Sequence, residues 1–231
     1  MSVIFRAFRA VDDQQSCLKF IEGHRMVLEA YGITMITSNN AKWVTHENTY
    51  VIIAEHPVTK NALGGVRVQV ADENLLLPIV HAVGQVDSKI HEVVSMHAGK
   101  RIAEACGLWN AKEIAGYGYS FFILRSAIAL AHQLSVDSLF ALAAPVTVEM
   151  CLNAGFKIET YLGNNGFFNY PKLDLVATAM VINDLDKMSM STESDRTHIF
   201  EIMNNPDQIA VVSGPKGDVT IDYRLSLKKP E

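Results

Sequence analysis

The most constraining stretch of this chain joins a short buried run, a glycine-punctuated turn and a long greasy segment. Arg101 to Asn110 carries two charges, Arg101 and Glu104, and otherwise reads as a buried strand. Glu113-Ile114-Ala115-Gly116-Tyr117-Gly118 follows as a turn, and Tyr119 to Leu134 is apolar nearly all round, with small residues at Ala127, Ala129 and Ala131. A helix that is hydrophobic on every side is a buried helix. Val136 to Ala143 is a second short buried strand. Strand, helix and strand in this order predict one right-handed crossover between parallel neighbours in the middle of a sheet. The two glycines let successive backbone N–H groups converge, and the helix start behind them adds partial positive charge, which suits a phosphate or pyrophosphate. The turn is not a Walker loop, since no Gly-Lys-Ser/Thr follows, and it lacks the third glycine of a dinucleotide fingerprint.

The flanking segments fill in an α+β, or mixed α/β, chain. Ile4 to Arg9 alternates like a strand, and Asp12 and Asp13 can cap a helix carrying Cys17, Leu18, Ile21, Met26, Val27 and Leu28, with Gly32 at its end. Thr49 to Glu55 and Gly64 to Val70 are β-rich and separated by turn residues, so they predict an antiparallel hairpin. Leu75 to about Ala98 has helical spacing. Val146 to Asn153 reads as a short helix stopped by Gly155, and Phe156 to Leu162 with Leu173 to Asn183 as paired strands. Arg196 to Met203 is weakly helical, and Ile209 to Leu227 predicts a hairpin around Gly214-Pro215-Lys216-Gly217. The expected organisation is one domain over 1–185, with a helical insertion at about 75–98, and a helix-plus-hairpin extension over 186–231 packing on it.

Composition narrows the function classes. Net charge is −5, with 20 basic against 25 acidic residues, which gives no electrostatic footprint for nucleic acid or an anionic membrane. Phe121 to Ala131, the greasiest run, is interrupted by Arg125 and Ser126 and is too short to span a bilayer. Cys17, Cys106 and Cys151 are scattered, so neither a disulfide framework nor a metal site is expected, and a reducing, cytoplasmic setting fits. Hydrophobic residues make up 49% of the chain, more than the core of a minimal domain needs.

From Ile4 to Asn183 the sequence resembles the GNAT superfamily of acyl-CoA-dependent acyltransferases. The resemblance rests on the turn, aligned with that family's Gln/Arg-x-x-Gly-x-Gly/Ala pyrophosphate loop, on the Gly155-Phe156 pair after the short helix, and on the strand–helix and hairpin units upstream. It implies a twisted mixed sheet with helices on both faces, and acetyl-CoA or another acyl-CoA as donor. Leu108, Trp109 and Asn110 would hold the pantetheine through the strand, and the segment Ile114, Ala115, Gly116, Tyr117, Gly118 and Tyr119 would take the phosphates. Glu104, nine positions before Glu113, falls where the histone acetyltransferase branch places its general base. That role is chemically reasonable, since an ammonium with pKa near ~10.4 must lose a proton to attack a thioester.

Three positions depart from the family pattern. Glu113 stands where the loop has Gln/Arg, with Lys112 and Arg125 as cations that could compensate. Cys151 stands where many members carry the Tyr that protonates the leaving thiolate, which leaves Cys151, Tyr117 or Tyr119 for that task. Ala144 replaces an Asn at the start of the short helix. A weaker resemblance, to autoinducer synthases and long-chain N-acyl amino acid synthases, rests on the insertion at Leu77 to Ala98, which would wall an acyl tunnel. Three readings therefore stand: acyl transfer, most simply of acetyl, from CoA to a small-molecule amine; long-chain N-acylation from acyl carrier protein or long acyl-CoA; and a non-catalytic acyl-CoA-binding or interaction module. Acceptor loops are expected at about Glu29 to Trp43 and Gly163 to Pro171, and exposed strand edges point to a homodimer.

Overall fold

The computed structural model describes residues 1–33, 41–73, 75–171 and 174–227. Ten strands form one sheet: β1 (Ser2–Arg9), β2 (Thr49–Glu55), β3 (Ala62–Val70), β4 (Ile102–Asn110), β5 (Ser138–Ala143), β6 (Lys157–Ile158), β7 (Phe167–Asn169), β8 (Val176–Ile182), β9 (Asp207–Gly214) and β10 (Gly217–Arg224). Their order is β6-β8-β5-β4-β3-β2-β1-β10-β9, with β7 also beside β8. Only β4–β5 and β1–β10 are parallel among these pairings. The crossover helix α4 (Tyr119–Gln133) links β4 to β5, as the greasy segment requires.

Alternation along the strands sorts the core into two faces. Ala103 and Ala105 of β4 with Leu139, Ala141 and Ala143 of β5 pack in one cluster with α4, α5 (Pro145–Asn153) and α6 (Glu193–Asn204). Their neighbours Ile102, Glu104 and Phe140 point the other way, where α1 (Gln14–Ala30), α2 (Pro78–Val83) and α3 (Lys89–Ser95) lie. The Asp13 carboxylate caps α1 by accepting from the Ser16 amide at 3.0 Å. This stripe turns differently from the expected one: Ser16, Cys17, Phe20 and His24 are buried, whereas Leu18 and Met26 are more than half exposed. Phe20 draws α1 onto Trp43 and Trp109, with ring centroids 6.0 and 6.1 Å away, and that contact sets the rotation.

Two other expectations need correcting. The insertion is two short helices, not one, because the backbone turns between Val83 and Lys89 so that Ile79, Val83, Ile90 and Val93 can all reach the sheet. The strands expected over 156–162 and 173–183 are shorter: β6 has two residues, and β7 lies in what looked like pure loop. Residues 172–173 lie outside the described residues. The C-terminal hairpin forms as expected and extends the same sheet, with β10 parallel to β1 from Ser2↔Thr220 to Arg6↔Arg224.

Candidate active site

β4 and β5 are paired only from Ile102↔Ser138 to Glu104↔Phe140. Beyond Glu104 they separate, β5 continuing along β8 and β4 along β3. A register shift between Gly65 and Arg67 leaves one extra residue on β4 opposite β3, a bulge at Gly107–Leu108 that bends β4 where it leaves β5. Strand edges facing a gap keep backbone groups that need partners. A cavity of about 270 Å³ fills the gap and passes through the sheet. Ala105, Ala141, Ala143, Leu124 and Cys151 line it on the α4/α5 face, and Glu104, Cys106, His24, Leu28, Pro78 and Ala82 on the α1/α2 face.

Glu104 is 2% exposed and sits at the apex of the splay. Burial raises its pKa to about 8, against the opposing pull of the Ile79 amide, which donates to Oε2 at 2.6 Å, and of the Arg67 charge. A carboxyl tuned in this way can take a proton near neutral pH. Arg67, itself 3% exposed, donates from Nε to Cys106 Sγ at 3.1 Å and lies 4.8 Å above the Trp43 ring. Burial holds the Cys106 thiol up at about 11 despite Arg67. His24 is pushed down to about 4 by burial and by Arg67, so its ring is neutral at pH 7. The α1/α2 mouth of the slot thus presents a carboxyl and an uncharged imidazole, with the buried Arg67 charge acting on both.

The turn after β4 is a 3-10 turn, Lys112–Ile114, followed by Gly116 at φ +81° and Gly118 at φ +85°. Both φ values lie in the left-handed region that side chains disfavour. The amides of Gly116, Gly118, Tyr119 and Ser120 donate to no backbone carbonyl among the described residues. They stand at the start of the fifteen-residue α4. Four unengaged donors at a helix start fit the charge and size of a pyrophosphate. Ile114, 1% exposed, anchors the turn in the core, and the Ser120 hydroxyl donates to Asn110 Oδ1 at 2.5 Å, tying the end of β4 to α4.

Not every residue expected at the site is brought there. Leu108 and Cys151 line the cavity with Glu104. Trp109 is 4% exposed, packs on Phe20 of α1 and is absent from the lining, so only its backbone is left to the strand edge. Tyr119 is 1% exposed against Phe5 and Phe122 and is not in the lining, which removes it as an acid. Tyr117 packs beneath Lys216, 5.5 Å from ring centroid to Nζ, and it too is outside the lining. Cys151 alone of the three candidates reaches the cavity, and burial raises its pKa to about 12. Arg125 is held by Asp195 at 2.7 Å and is no compensating cation for the loop, whereas Lys112 and Glu113 are both exposed. Residues 34–40 of the first expected acceptor loop lie outside the described residues; of the second, Tyr170 and Pro171 line the cavity. Among the described residues there is no cluster of His, Cys, Asp and Glu that could hold a metal ion, and no helix long and apolar enough to cross a membrane.

No family model and no curated protein matches the sequence. Solved structures match its fold. FeeM, an N-acyl amino acid synthase from uncultured soil microbes, superposes with a TM-score of 0.60 over 80% of this chain and 99% of its own, at 15% identity. Escherichia coli ElaA gives 0.56 over 78% and 99%, at 7% identity. The CoA-dependent acyl-homoserine lactone synthase BjaI gives 0.53 over 96% and 94%, at 10% identity. At these identities the likeness is one of fold, and the chain has the GNAT fold that its glycine turn suggested.

Proposed function

We propose that this protein is an acyltransferase that moves an acyl group from coenzyme A to the nitrogen of a small-molecule amine. The observation that carries the reading is the slot through the sheet. A carboxyl with a pKa near 8 stands at its apex, and one wall, β4, leads into a turn with four unengaged amides. Acyl-CoA would supply the activated thioester. The strand edge opened by the splay would hold the pantetheine, and the amides from Gly116 to Ser120 the pyrophosphate. The amine would enter on the α1/α2 face, past His24 and Leu28, and give its proton to Glu104 in the carboxylate form. Cys151, a neutral thiol on the α5 wall with a pKa raised to about 12, is a weaker acid than the departing thiol, so the coenzyme A sulfur leaves as the thiolate and takes its proton from solvent. That the solved structures sharing this fold include N-acyl amino acid and acyl-homoserine lactone synthases supports the reading.

The acyl group is inferred to be longer than acetyl, the choice favoured by one observation. Pro78 and Ala82 of the inserted α2 form part of the cavity wall, so the insertion bounds the slot with apolar surface that a two-carbon group would leave unfilled. Thiol release from a ladder of acyl-CoAs, from acetyl to decanoyl, with a panel of primary amines and amino acids tests both statements. Turnover peaking above two carbons is expected; release from none of the donors, with none of them bound, overturns the acyltransferase reading.

A further inference from the structure

The apex of the C-terminal hairpin, Gly214-Pro215-Lys216-Gly217, sits directly on the glycine turn. A Cβ on Gly214 would collide with the Tyr117 carbonyl oxygen, and one on Gly118 would lie 3.1 Å from Pro215 Cδ. The Lys216 side chain crosses the turn. Its Nζ donates to the Ala115 carbonyl at 2.9 Å, lies 5.5 Å from the Tyr117 ring centroid, and would be 2.8 Å from a Cβ at Gly116. Two backbones and one long side chain are thus fitted together at the four unengaged amides.

We propose that Lys216 supplies the side-chain cation of the pyrophosphate cradle, which makes the C-terminal hairpin part of the donor site. The inference rests on the reading of acyl-CoA as donor. An ammonium has three N–H donors, and Ala115 takes one, leaving two for an anion lying on the same turn. Lys216 is in no ion pair among the described residues. The need for a cation here is particular to this chain. Glu113 adds negative charge at the first position of the loop, and Arg125 is committed to Asp195. Within the turn Lys112 offsets Glu113 and leaves no net positive charge, so the net cation comes from a lysine 101 positions downstream. The two glycines gain a second role, since a side chain at Gly116 would displace Lys216.

Equilibrium binding of CoA and of an acyl-pantetheine, which has no phosphate, tests this with the wild-type chain and the Lys216→Gln and Lys216→Arg variants. Glutamine keeps a donor for Ala115 and removes the charge. Lys216→Gln is expected to weaken CoA binding about tenfold and flatten its dependence on ionic strength, the scale of one charge-assisted contact. Acyl-pantetheine binding should be unchanged, and Lys216→Arg should bind CoA within a few-fold of wild type. CoA affinity in Lys216→Gln equal to wild type overturns the inference and leaves the donor reading intact. Equal losses for CoA and acyl-pantetheine also overturn it, because the lysine would then only hold the turn in shape. Wild-type protein that binds no CoA overturns the donor reading, and this inference with it.

Discussion

The Ile79 amide donates to the Glu104 carboxylate at 2.6 Å, joining the inserted helix α2 to the apex of the β4–β5 splay. The insertion therefore both bounds the cavity and touches the proposed base. Because Glu104 titrates near pH 8, the carboxylate that accepts the amine proton is a minor form at pH 7 and dominant at pH 9. kcat/KM should rise with pH through a midpoint near 8. Glu104→Gln should lower it by about 10² to 10⁴-fold, the span for a positioned general base. A pH–rate profile of the variant that keeps the wild-type rate and midpoint would remove Glu104 from the mechanism.

The same carboxyl should leave a signature in stability. Its folded pKa, about 8, lies above the ordinary value of 4.5, so the native state holds a proton that the unfolded chain releases between those values. Glu104 thus costs nothing below about pH 4.5, and stability is lost as pH rises through 8. Each tenfold difference in proton affinity between the folded and unfolded chain is worth ~1.4 kcal/mol. Denaturant melts at pH 5 and pH 9 should therefore show wild type losing a few kcal/mol relative to Glu104→Gln at the higher pH. Parallel stability curves for the two proteins would contradict the buried, proton-retaining carboxyl.

Arg67 holds both Glu104 and Cys106 below where burial alone would put them, and it pushes His24 down. Arg67→Met keeps much of the apolar stem over Trp43 and deletes the charge. The midpoint of the pH–rate profile should then move above 8, with the His24 pKa rising from about 4 toward its ordinary 6.5. An NMR titration of the His24 ring checks the second shift independently of turnover. An unchanged His24 pKa would mean that Arg67 does not act across this cluster.

Much of the frame was legible because local pattern and global position agreed. The buried strand, glycine turn and greasy helix from Arg101 to Leu134 each followed their own rule, and together they forced the crossover. Glu104 stood out as the one carboxylate on that strand. His24 did not, because the amphipathic stripe was drawn through Leu18 and Met26. The pattern that mattered was Cys17, Phe20 and His24, three and seven residues apart, and its signal was a polar ring in an apolar series. Arg67 alternates with Val66 and Val68, and nothing in an alternating strand reveals that its face is covered by Trp43. The contact between Lys216 and Ala115 spans 101 positions, a pairing created by the parallel addition of β10 to β1.

The cavity wall contributed by α2 gives the acyl-length reading its own test. Ala82 is 4% exposed to solvent, lies on α2 and lines the slot. Each methylene buried there should stabilise the bound donor by ~0.8 kcal/mol, so affinity should climb about fourfold per carbon until the slot is full. A phenylalanine at this position would take up part of that space, while the α2 contact to Glu104 is made by the Ile79 backbone amide. Ala82→Phe should therefore leave acetyl-CoA binding within about twofold of wild type and weaken hexanoyl- and octanoyl-CoA about tenfold or more, following the lost methylene contacts. Near-ultraviolet circular dichroism and a thermal melt verify that the variant is folded. If Ala82→Phe weakens acetyl- and octanoyl-CoA equally, α2 does not bound the acyl chain and the donor is short. If both bind as in wild type, the chain runs elsewhere in the slot, along the α4/α5 face past Leu124 and Ala143.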